Sequence, residues 1–482
     1  MLLRQRMGKI HGASDCARQI FFRLPATNKT YVSANVLSRM KSLIALLCLL
    51  ATASHAAVSE GWSLWSPRDE AKPAAELSQT GGHDGKGTLI LATGEGEQWI
   101  GCWTNTLPVE GGQHYQFSAW KKASAMPTAR RSVYARILWQ DEKGNPVSWE
   151  EPAKQGYAKG TIPRAEPEYA NVPDGEANQW THCQSTLRAP VKAKQAKIEL
   201  YLQWAANARV EWSDVSLAAV PAPDARKVRL ATIHLQPKDG NNPADKPPQY
   251  APLIAEAAKQ KADLVVLGET LTYYGTGKTM AECAESVPGP STDYFGKLAK
   301  EHNLHIVAGL VEREGKTLYN SSALLGPDGS LVGKYRKVTL PRGEIEAGIT
   351  PGHEYPVFDT RFGKVGMMVC YDGFFPEVAR ALTIHGAEVI AWPVWGCNPM
   401  LAAARACENH VYIVSSTYTD ATKNQWMISG IFDHYGDVLA KADEFGTLAI
   451  AEVDLNAPTH WNSLGDFKAQ IQSHRPPALR EP

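Results

Sequence analysis

The sequence changes character at a Pro- and Ala-rich stretch, residues 218–226, and this break predicts the domain organisation. Before it, ten of the fourteen Trp residues fall among short apolar segments separated by Gly, Pro, Asn and Asp, a spacing typical of a β-sandwich. After it, apolar strands alternate with amphipathic helices, which indicates a layered α/β fold. We therefore predict a β-sandwich over residues 58–217, a linker over 218–226, an α/β domain over 227–475 and a tail over 476–482.

The balanced overall charge and the lack of metal-binding motifs limit the classes of partner. The chain has 50 Lys and Arg residues against 50 Asp and Glu, so no nucleic acid or anionic membrane surface is indicated as a partner. The sequence contains no zinc-type Cys/His spacing, no HExxH motif and no P-loop, so we predict no metal and no cofactor.

Residues 40–56 have the pattern of a secretory signal peptide. A basic start at Met40 is followed by an apolar run and by small residues up to position 56. The apolar run is too short for a permanent membrane span. We expect an exported protein, periplasmic or extracellular, in which residues 1–39 are an extension ahead of the true start. Export permits disulfides, and Cys102 and Cys183 are candidates for a pair.

The run from Val365 to Pro376 predicts a strand, a sharp turn and a helix, with Cys370 on the turn. We expect the free N–H groups and the dipole of the following helix to favour the thiolate of Cys370, which is the nucleophilic form. The alternative is a buried structural cysteine. This stretch alone does not decide between the two.

Two charged residues also follow predicted strands. Glu269 ends the apolar strand 263–268, and Lys337 lies just past the strand 331–335. Each is more often a solvated surface charge when it occurs alone. Since α/β folds place reactive groups at strand ends, Glu269, Lys337 and Cys370 are expected to meet in one pocket.

Together these segments resemble the carbon–nitrogen hydrolase (nitrilase) superfamily. The resemblance rests on Leu-Gly-Glu-Thr around Glu269, Tyr-Arg-Lys-Val-Thr-Leu-Pro around Lys337 and Val-Cys-Tyr-Asp-Gly-Phe-Phe-Pro-Glu around Cys370. Similar segments at 345–352, 386–393 and 405–409 follow in the expected order. The resemblance covers about residues 228–475 and implies a nitrilase-like α-β-β-α sandwich. Two positions depart from it, because Gly268 stands where Pro is usual and Gly373 where Arg or Leu is common.

The resemblance implies a role for each residue of the triad. Glu269 would be the general base, Cys370 the nucleophile that forms a thioester, and Lys337 a stabiliser of the oxyanion, together with the backbone N–H of Tyr371. No metal or cofactor is implied.

Four further residues are candidates for supporting the site. The superfamily has a second Glu near the Lys, and both Glu344 and Glu346 fit that place. Trp395 and Asn398 follow the strand 388–392 and are candidates for lining the substrate pocket. The alternative for Trp395 is plain packing.

The first domain carries a second, looser resemblance. Segments 108–120, 138–144 and 210–217 look like jelly-roll domains of the carbohydrate-binding-module type. An exposed Trp can stack on a sugar ring, so a glycan is one candidate partner. The alternative, which we favour, is that most of these Trp residues fill the core.

These observations predict an exported thiol hydrolase of the amidase type, with a small-molecule amide as substrate and an acid and an amine or ammonia as products. The alternatives are a nitrilase, an N-carbamoyl-amine hydrolase, an amide-forming acyltransferase, and a catalytically dead glycan-binding surface protein. The intact triad argues against the last of these. The resemblance also implies a homodimer, which the added β domain could block.

Overall fold

The computed structural model describes residues 61–153, 160–396, 398–420, 428–457, 460–461 and 463–477. The expected signal peptide and the extension before it lie outside these residues. Contacts between residues place the described residues in one compact unit.

The strands up to the linker are β1 (Ser63–Trp65), β2 (Ala74–Ser78), β3 (Thr88–Ala92), β4 (Ile100–Pro108), β5 (His114–Ala123), β6 (Val133–Gln140), β7 (Glu168–Tyr169), β8 (Trp180–Arg188), β9 (Gln195–Gln203) and β10 (Arg209–Val220). The strands after it are β11 (Lys227–His234), β12 (Leu264–Val266), β13 (His305–Glu314), β14 (Thr317–Leu325), β15 (Leu331–Arg336), β16 (Val357–Asp359), β17 (Lys364–Met367), β18 (Val389–Pro393), β19 (Tyr412–Ser416), β20 (Ser429–Phe432), β21 (Val438–Ala442), β22 (Thr447–Asp454), β23 (His460–Trp461) and β24 (Gly465–Asp466). The α-helices are α1 (Ala129–Ser132), α2 (Ala251–Lys259), α3 (Met280–Cys283), α4 (Pro290–His302), α5 (Arg342–Glu346), α6 (Pro376–Ile384), α7 (Pro399–Asn409) and α8 (Phe467–His474).

The first part of the chain forms two five-stranded antiparallel sheets. Their strand orders are β1-β4-β9-β6-β7 and β2-β3-β10-β5-β8. Alternate residues of β5 are buried, as expected for a strand with one face on a core. One core holds apolar side chains from both sheets, such as Phe117 and Leu200. Trp103, Trp139, Trp149 and Trp212 are buried in this core, so packing accounts for much of the Trp enrichment.

The linker is shorter than the sequence predicts. Strand β10 continues to Val220, because its last residues, Ala218 to Val220, pair with the start of β5. The connecting segment before β11 is therefore 221–226.

The pairing considered for Cys102 and Cys183 is not made, because both are free and buried. Cys183 faces the shared core from one sheet. Cys102 belongs to the other sheet, and its neighbour Trp103 occupies that core. Successive residues of a strand point to opposite faces. The Cys102 side chain therefore lies on the far face, against Tyr134 and Tyr201.

The second part has four layers, which confirms the predicted α-β-β-α sandwich. Its two six-stranded sheets have the orders β15-β14-β13-β12-β11-β22 and β16-β17-β18-β19-β20-β21. In each sheet three neighbouring strands are parallel, namely β11 to β13 and β17 to β19. A central core lies between the sheets and contains Leu230 and Val266 opposite Val365 and Val389.

Successive side chains of a strand point to opposite faces of its sheet, so each sheet also contributes to an outer core beneath the helices. Val389 and Ala391 of β18 face the other sheet, whereas Ile390 and Trp392 face α6 and α7. Helices α2 and α4 cover the other sheet in the same way, through residues such as Ile254 and Phe295. The parallel strands thus bring several strand ends to one edge of the sandwich.

The last described residues connect the two parts. Strand β24 contacts β7, and helix α8 contacts α1. The guanidinium of Arg130 donates to the carbonyls of Gln472, Arg475 and Pro476. The ring of His460 stacks on Trp149 with 4.0 Å between ring centroids. The predicted domain limit at residue 475 therefore cuts through a segment that packs on the first part of the chain.

Among the described residues, no helix combines the length and the apolar character that crossing a membrane requires.

Candidate active site

The structure brings the three predicted triad residues together at one edge of the sandwich. Glu269 follows β12, Lys337 follows β15 and Cys370 follows β17. Lys337 and Glu269 are fully buried, and their charged atoms are 3.0 Å apart. The Cys370 thiol lies beside the Glu269 carboxylate, whose negative charge raises the pKa of the thiol further above the value that burial gives it.

Both oxygens of the Glu269 carboxylate are held. Oε1 accepts from Lys337 Nζ at 3.0 Å and from Asn320 Nδ2 at 2.7 Å. Oε2 accepts from the backbone N–H of Trp395 at 2.9 Å. A carboxylate held by three donors has a defined orientation, and a base must point at the proton that it takes.

Lys337 bonds two carboxylates, Glu269 and Glu344. The second bond identifies Glu344, and not Glu346, as the second Glu of the site. The Nζ of Lys337 is 2.5 Å from Oε1 of Glu344, which is buried. Although burial lowers the pKa of Lys337, the carboxylate of Glu269 raises it well above the usual range, so the side chain is an ammonium. Glu346 is exposed and pairs with Arg342 at 2.7 Å, so it does not belong to the site.

Asn320 is a site residue that the sequence analysis missed. Its Nδ2 donates to Glu269 Oε1 and, at 3.2 Å, to Glu344 Oε1. It lies on β14, next to the strand that delivers Lys337. Asn320 is the fourth residue of β14, which lies two strands from β12 in the sheet, and no motif in the sequence marked it.

Cys370 has a left-handed backbone, with φ of 44°, which is unfavourable for a residue that carries a side chain. The expectation that its thiolate is favoured is wrong for the free protein. Burial raises the pKa of the Cys370 thiol, and the Glu269 carboxylate raises it further. Lys337 and the backbone N–H of Trp395 oppose this rise without cancelling it. The raised pKa therefore favours the thiol form of Cys370, beside the Glu269 carboxylate.

The turn that carries Cys370 is anchored by Asp372, which is fully buried. Its carboxylate accepts from the backbone N–H of Val369 at 2.9 Å, from Tyr335 Oη at 2.7 Å and from the Thr339 hydroxyl at 2.6 Å. Asp372 therefore caps the turn rather than facing the thiol. Tyr371, whose backbone N–H was expected to bind the oxyanion, is partly exposed.

Of the two candidate pocket residues, Trp395 lies beside the triad, whereas Asn398 lies at the start of α7. Trp395 holds Glu269 through its backbone, and its side chain is 38% exposed beside the triad. Its ring packs against Tyr418 and Tyr274, with centroids 4.9 and 5.7 Å away. Asn398 is the N-cap of α7, where its side-chain oxygen accepts from the Met400 N–H. That bond gives Asn398 a capping role, and no contact among the described residues joins it to the triad.

The two glycines that depart from the expected motifs each leave room for an aromatic ring. A Cβ added at Gly268 would lie 2.6 Å from a ring carbon of Tyr418. A Cβ added at Gly373 would overlap the indole of Trp392. Glycine is required at both positions by space.

The four-layered α/β sandwich holds a buried Glu-Lys pair beside a cysteine on a strained turn, and these are the groups that hydrolysis by a thiol nucleophile needs. The pattern that describes the carbon–nitrogen hydrolase family matches residues 231–462. A nitrilase of Pyrococcus abyssi is 38% identical over 232 residues, which are 46% of this chain and 86% of the relative. An omega-amidase of Mus musculus is 33% identical over 266 residues, which are 50% of this chain and 92% of the relative.

Two solved structures are also among the matches of this chain. The crystal structure of Nit3 of Saccharomyces cerevisiae, a nitrilase-superfamily member, matches 47% of this chain and 90% of its own, with 24% identity and a TM-score of 0.41. An amidase of Nesterenkonia sp. matches 48% of this chain and 92% of its own, with 20% identity and a TM-score of 0.42. The chain belongs to the carbon–nitrogen hydrolase family, and it is an enzyme that acts on C–N bonds other than peptide bonds.

Proposed function

We propose that this enzyme hydrolyses a linear amide through a thioester on Cys370. The observation that carries the proposal is the bonding of Glu269. Lys337 and Asn320 hold one oxygen of its carboxylate, Trp395 holds the other, and the carboxylate acts on the neighbouring Cys370 thiol closely enough to raise its pKa. Such a carboxylate is oriented to take the thiol proton.

In the acylation step, Glu269 accepts the Cys370 proton while the sulfur bonds to the amide carbon. The carbonyl oxygen gains the negative charge, which the Lys337 ammonium and the Tyr371 backbone N–H stabilise. The C–N bond then breaks, and the proton on Glu269 goes to the leaving nitrogen. The products of this half are an amine or ammonia and a thioester.

In the deacylation step, Glu269 takes a proton from a water molecule as the water oxygen bonds to the thioester carbon. The C–S bond breaks, the acid leaves, and Glu269 returns its proton to the Cys370 sulfur. Glu344 keeps Lys337 in place throughout, since it bonds the same ammonium as Glu269. The omega-amidase relatives support an amide as the substrate, and the nitrilase relative makes a nitrile the second candidate.

Ammonia or amine release from a panel of amides, N-carbamoyl amines and nitriles tests the proposal. We expect release by the enzyme, none by Cys370→Ala, and unchanged release by Cys407→Ala, a matched control at another partly exposed cysteine. Added hydroxylamine separates hydrolysis from acyl transfer, because a transferase would yield mainly the hydroxamate. Equal release by the enzyme and Cys370→Ala would exclude the thioester route.

We also propose that the enzyme is exported, on the evidence of the sequence pattern at 40–56. Expression of the full chain in a Gram-negative host, followed by fractionation and intact mass measurement, should place a protein that lacks residues 1–56 outside the cytoplasm. A full-length cytoplasmic product would contradict this.

Assembly and sugar binding also have direct tests. The exposed rings of Trp65 and Trp204 in the first domain are the candidates for stacking on a sugar. We propose that this domain serves mainly for packing, so we expect no retention on immobilised polysaccharides. Sedimentation of the mature protein decides between a monomer and a homodimer.

A further inference from the structure

The turn after the nucleophile is shaped around the indole of Trp392. Gly373 is buried, three residues after Cys370. A Cβ at Gly373 would overlap the six-membered ring of Trp392, so the indole fits there only because residue 373 has no side chain. Trp392 is 1% exposed and points from β18 towards the layer of α6 and α7.

The indole is also bonded to the nucleophile residue. Nε1 of Trp392 donates to the backbone carbonyl of Cys370 at 3.1 Å. The backbone groups on either side of this residue have other partners. The Val369 N–H donates to Asp372, and the Gly373 carbonyl accepts from Arg405 at 3.2 Å. The Trp392 bond therefore fixes the one peptide unit that joins Cys370 to Tyr371.

That peptide unit also contains the proposed oxyanion donor. The carbonyl of Cys370 and the N–H of Tyr371 belong to one planar trans amide, in which they point in opposite directions. Holding the carbonyl on the Trp392 side turns the Tyr371 N–H away from Trp392. A hydrogen bond accepted by an amide carbonyl also polarises the amide and strengthens its N–H as a donor.

We propose that Trp392 is a positioning residue that aims and strengthens the Tyr371 N–H as an oxyanion donor. The proposal rests on the function proposed above, because it assumes that charge develops on a substrate oxygen. Trp392 does not touch the substrate. Its effect reaches the reaction through the Cys370–Tyr371 peptide.

Two reactions of the same cysteine separate this role from general support of the fold. Alkylation by iodoacetamide needs the Cys370 sulfur and develops no oxyanion. Acylation by a p-nitrophenyl ester needs the same sulfur and also forms a tetrahedral oxyanion. Loss of an oxyanion donor slows acylation about 10²–10³-fold in known cases. A donor that remains but is misdirected should cost less, on the order of tenfold.

The sharpest variant replaces Trp392 by benzothienylalanine, in which sulfur takes the place of N–H and the ring shape is kept. Trp392→Phe is the second variant. Trp139→Phe is the matched control, because Trp139 is equally buried and its indole donates to Glu168 in the first domain. All are measured in the complete mature protein, with kcat, KM, acylation burst rate and alkylation rate.

We expect both Trp392 variants to lose about tenfold in kcat and in acylation rate, with KM and alkylation rate within twofold of the parent. Trp139→Phe should change none of these. Unchanged acylation in the benzothienylalanine variant would overturn the proposal, and so would an equal fall in alkylation and acylation. A parent enzyme that is alkylated but acylated by no ester would instead overturn the proposed function, and this proposal with it.

Discussion

Lys337 Nζ lies 2.5 Å from Glu344 Oε1 while it also bonds Glu269, so one buried ammonium holds two carboxylates. Burial raises the pKa of Glu344, Lys337 opposes that rise, and the nearby Glu269 carboxylate adds to it. The site therefore contains one more negative charge than positive charge if both acids are ionised. The charge state of Glu344 thus depends on its neighbours.

Glu344→Gln should lower kcat about 10²-fold, because the ammonium loses a charged partner and shifts from the position where the oxyanion forms. Glu346→Gln, which changes an exposed residue in the same helix, should leave kcat within twofold. Steady-state kinetics on an amide identified from the panel measure both. Equal losses in the two variants would show that Glu344 has no special place in the site.

Asn320→Ala should destabilise the protein by about 1–3 kcal/mol, because two buried carboxylates each lose a donor. Asn320→Asp should cost more, since it adds a third acid to the cluster. Urea unfolding of the mature protein gives the free energies. Asn145→Ala, in an exposed turn, is the control and should change stability by less than about 0.5 kcal/mol.

Glu269→Gln should accelerate alkylation of Cys370 by iodoacetamide between pH 7 and 9 while it abolishes amide turnover. The Glu269 carboxylate raises the pKa of Cys370, so its removal lowers that pKa and increases the thiolate fraction. Turnover stops because the proton acceptor is gone. Alkylation rates over this pH range test the prediction, and slower alkylation would contradict it.

Glu168 should make stability fall as pH rises. Burial raises its folded pKa from 4.5 to about 8, so between these values the folded state keeps a proton that the unfolded state has lost. Each pH unit across that window costs up to about 1.4 kcal/mol of unfolding free energy. Glu168→Gln keeps an acceptor for Trp139 but removes the titrating carboxyl. The difference in stability between this variant and the parent should therefore favour the variant more at pH 8 than at pH 5.

Urea unfolding at pH 5 and pH 8 measures this difference for the parent, for Glu168→Gln and for the exposed control Glu176→Gln. The control should follow the parent at both pH values. If Glu168→Gln also followed the parent, the carboxyl would be ionised in the folded protein.

Gly268→Ala should cost about 1–3 kcal/mol, because its Cβ would lie 2.6 Å from the Tyr418 ring, and overpacking of this kind is destabilising. Adding Tyr418→Leu should recover part of that loss, and the double mutant should be more stable than the sum of the two single changes. Unfolding free energies of the three variants provide the test. Strict additivity would mean that the ring does not limit residue 268.

Local sequence was sufficient for the layered fold of the second domain. Apolar runs marked strands such as β12 and β17, and alternation along them follows from backbone geometry. The residues that end those runs, Glu269 and Cys370, were found for the same reason. The partners of these residues were not visible in this way, because Asn320 bonds Glu269 from 51 positions away.

Sequence by itself determined the change from a β-rich to an α/β pattern, the strand ends that carry Glu269, Lys337 and Cys370, and the family. These are properties of neighbouring residues, which set strand, turn and helix directly. Tertiary structure alone decided that Glu344 and not Glu346 faces Lys337, and that the raised pKa favours the thiol form of Cys370. Burial, side-chain direction and the distance between charges decide such questions, and they exist only once distant segments pack together.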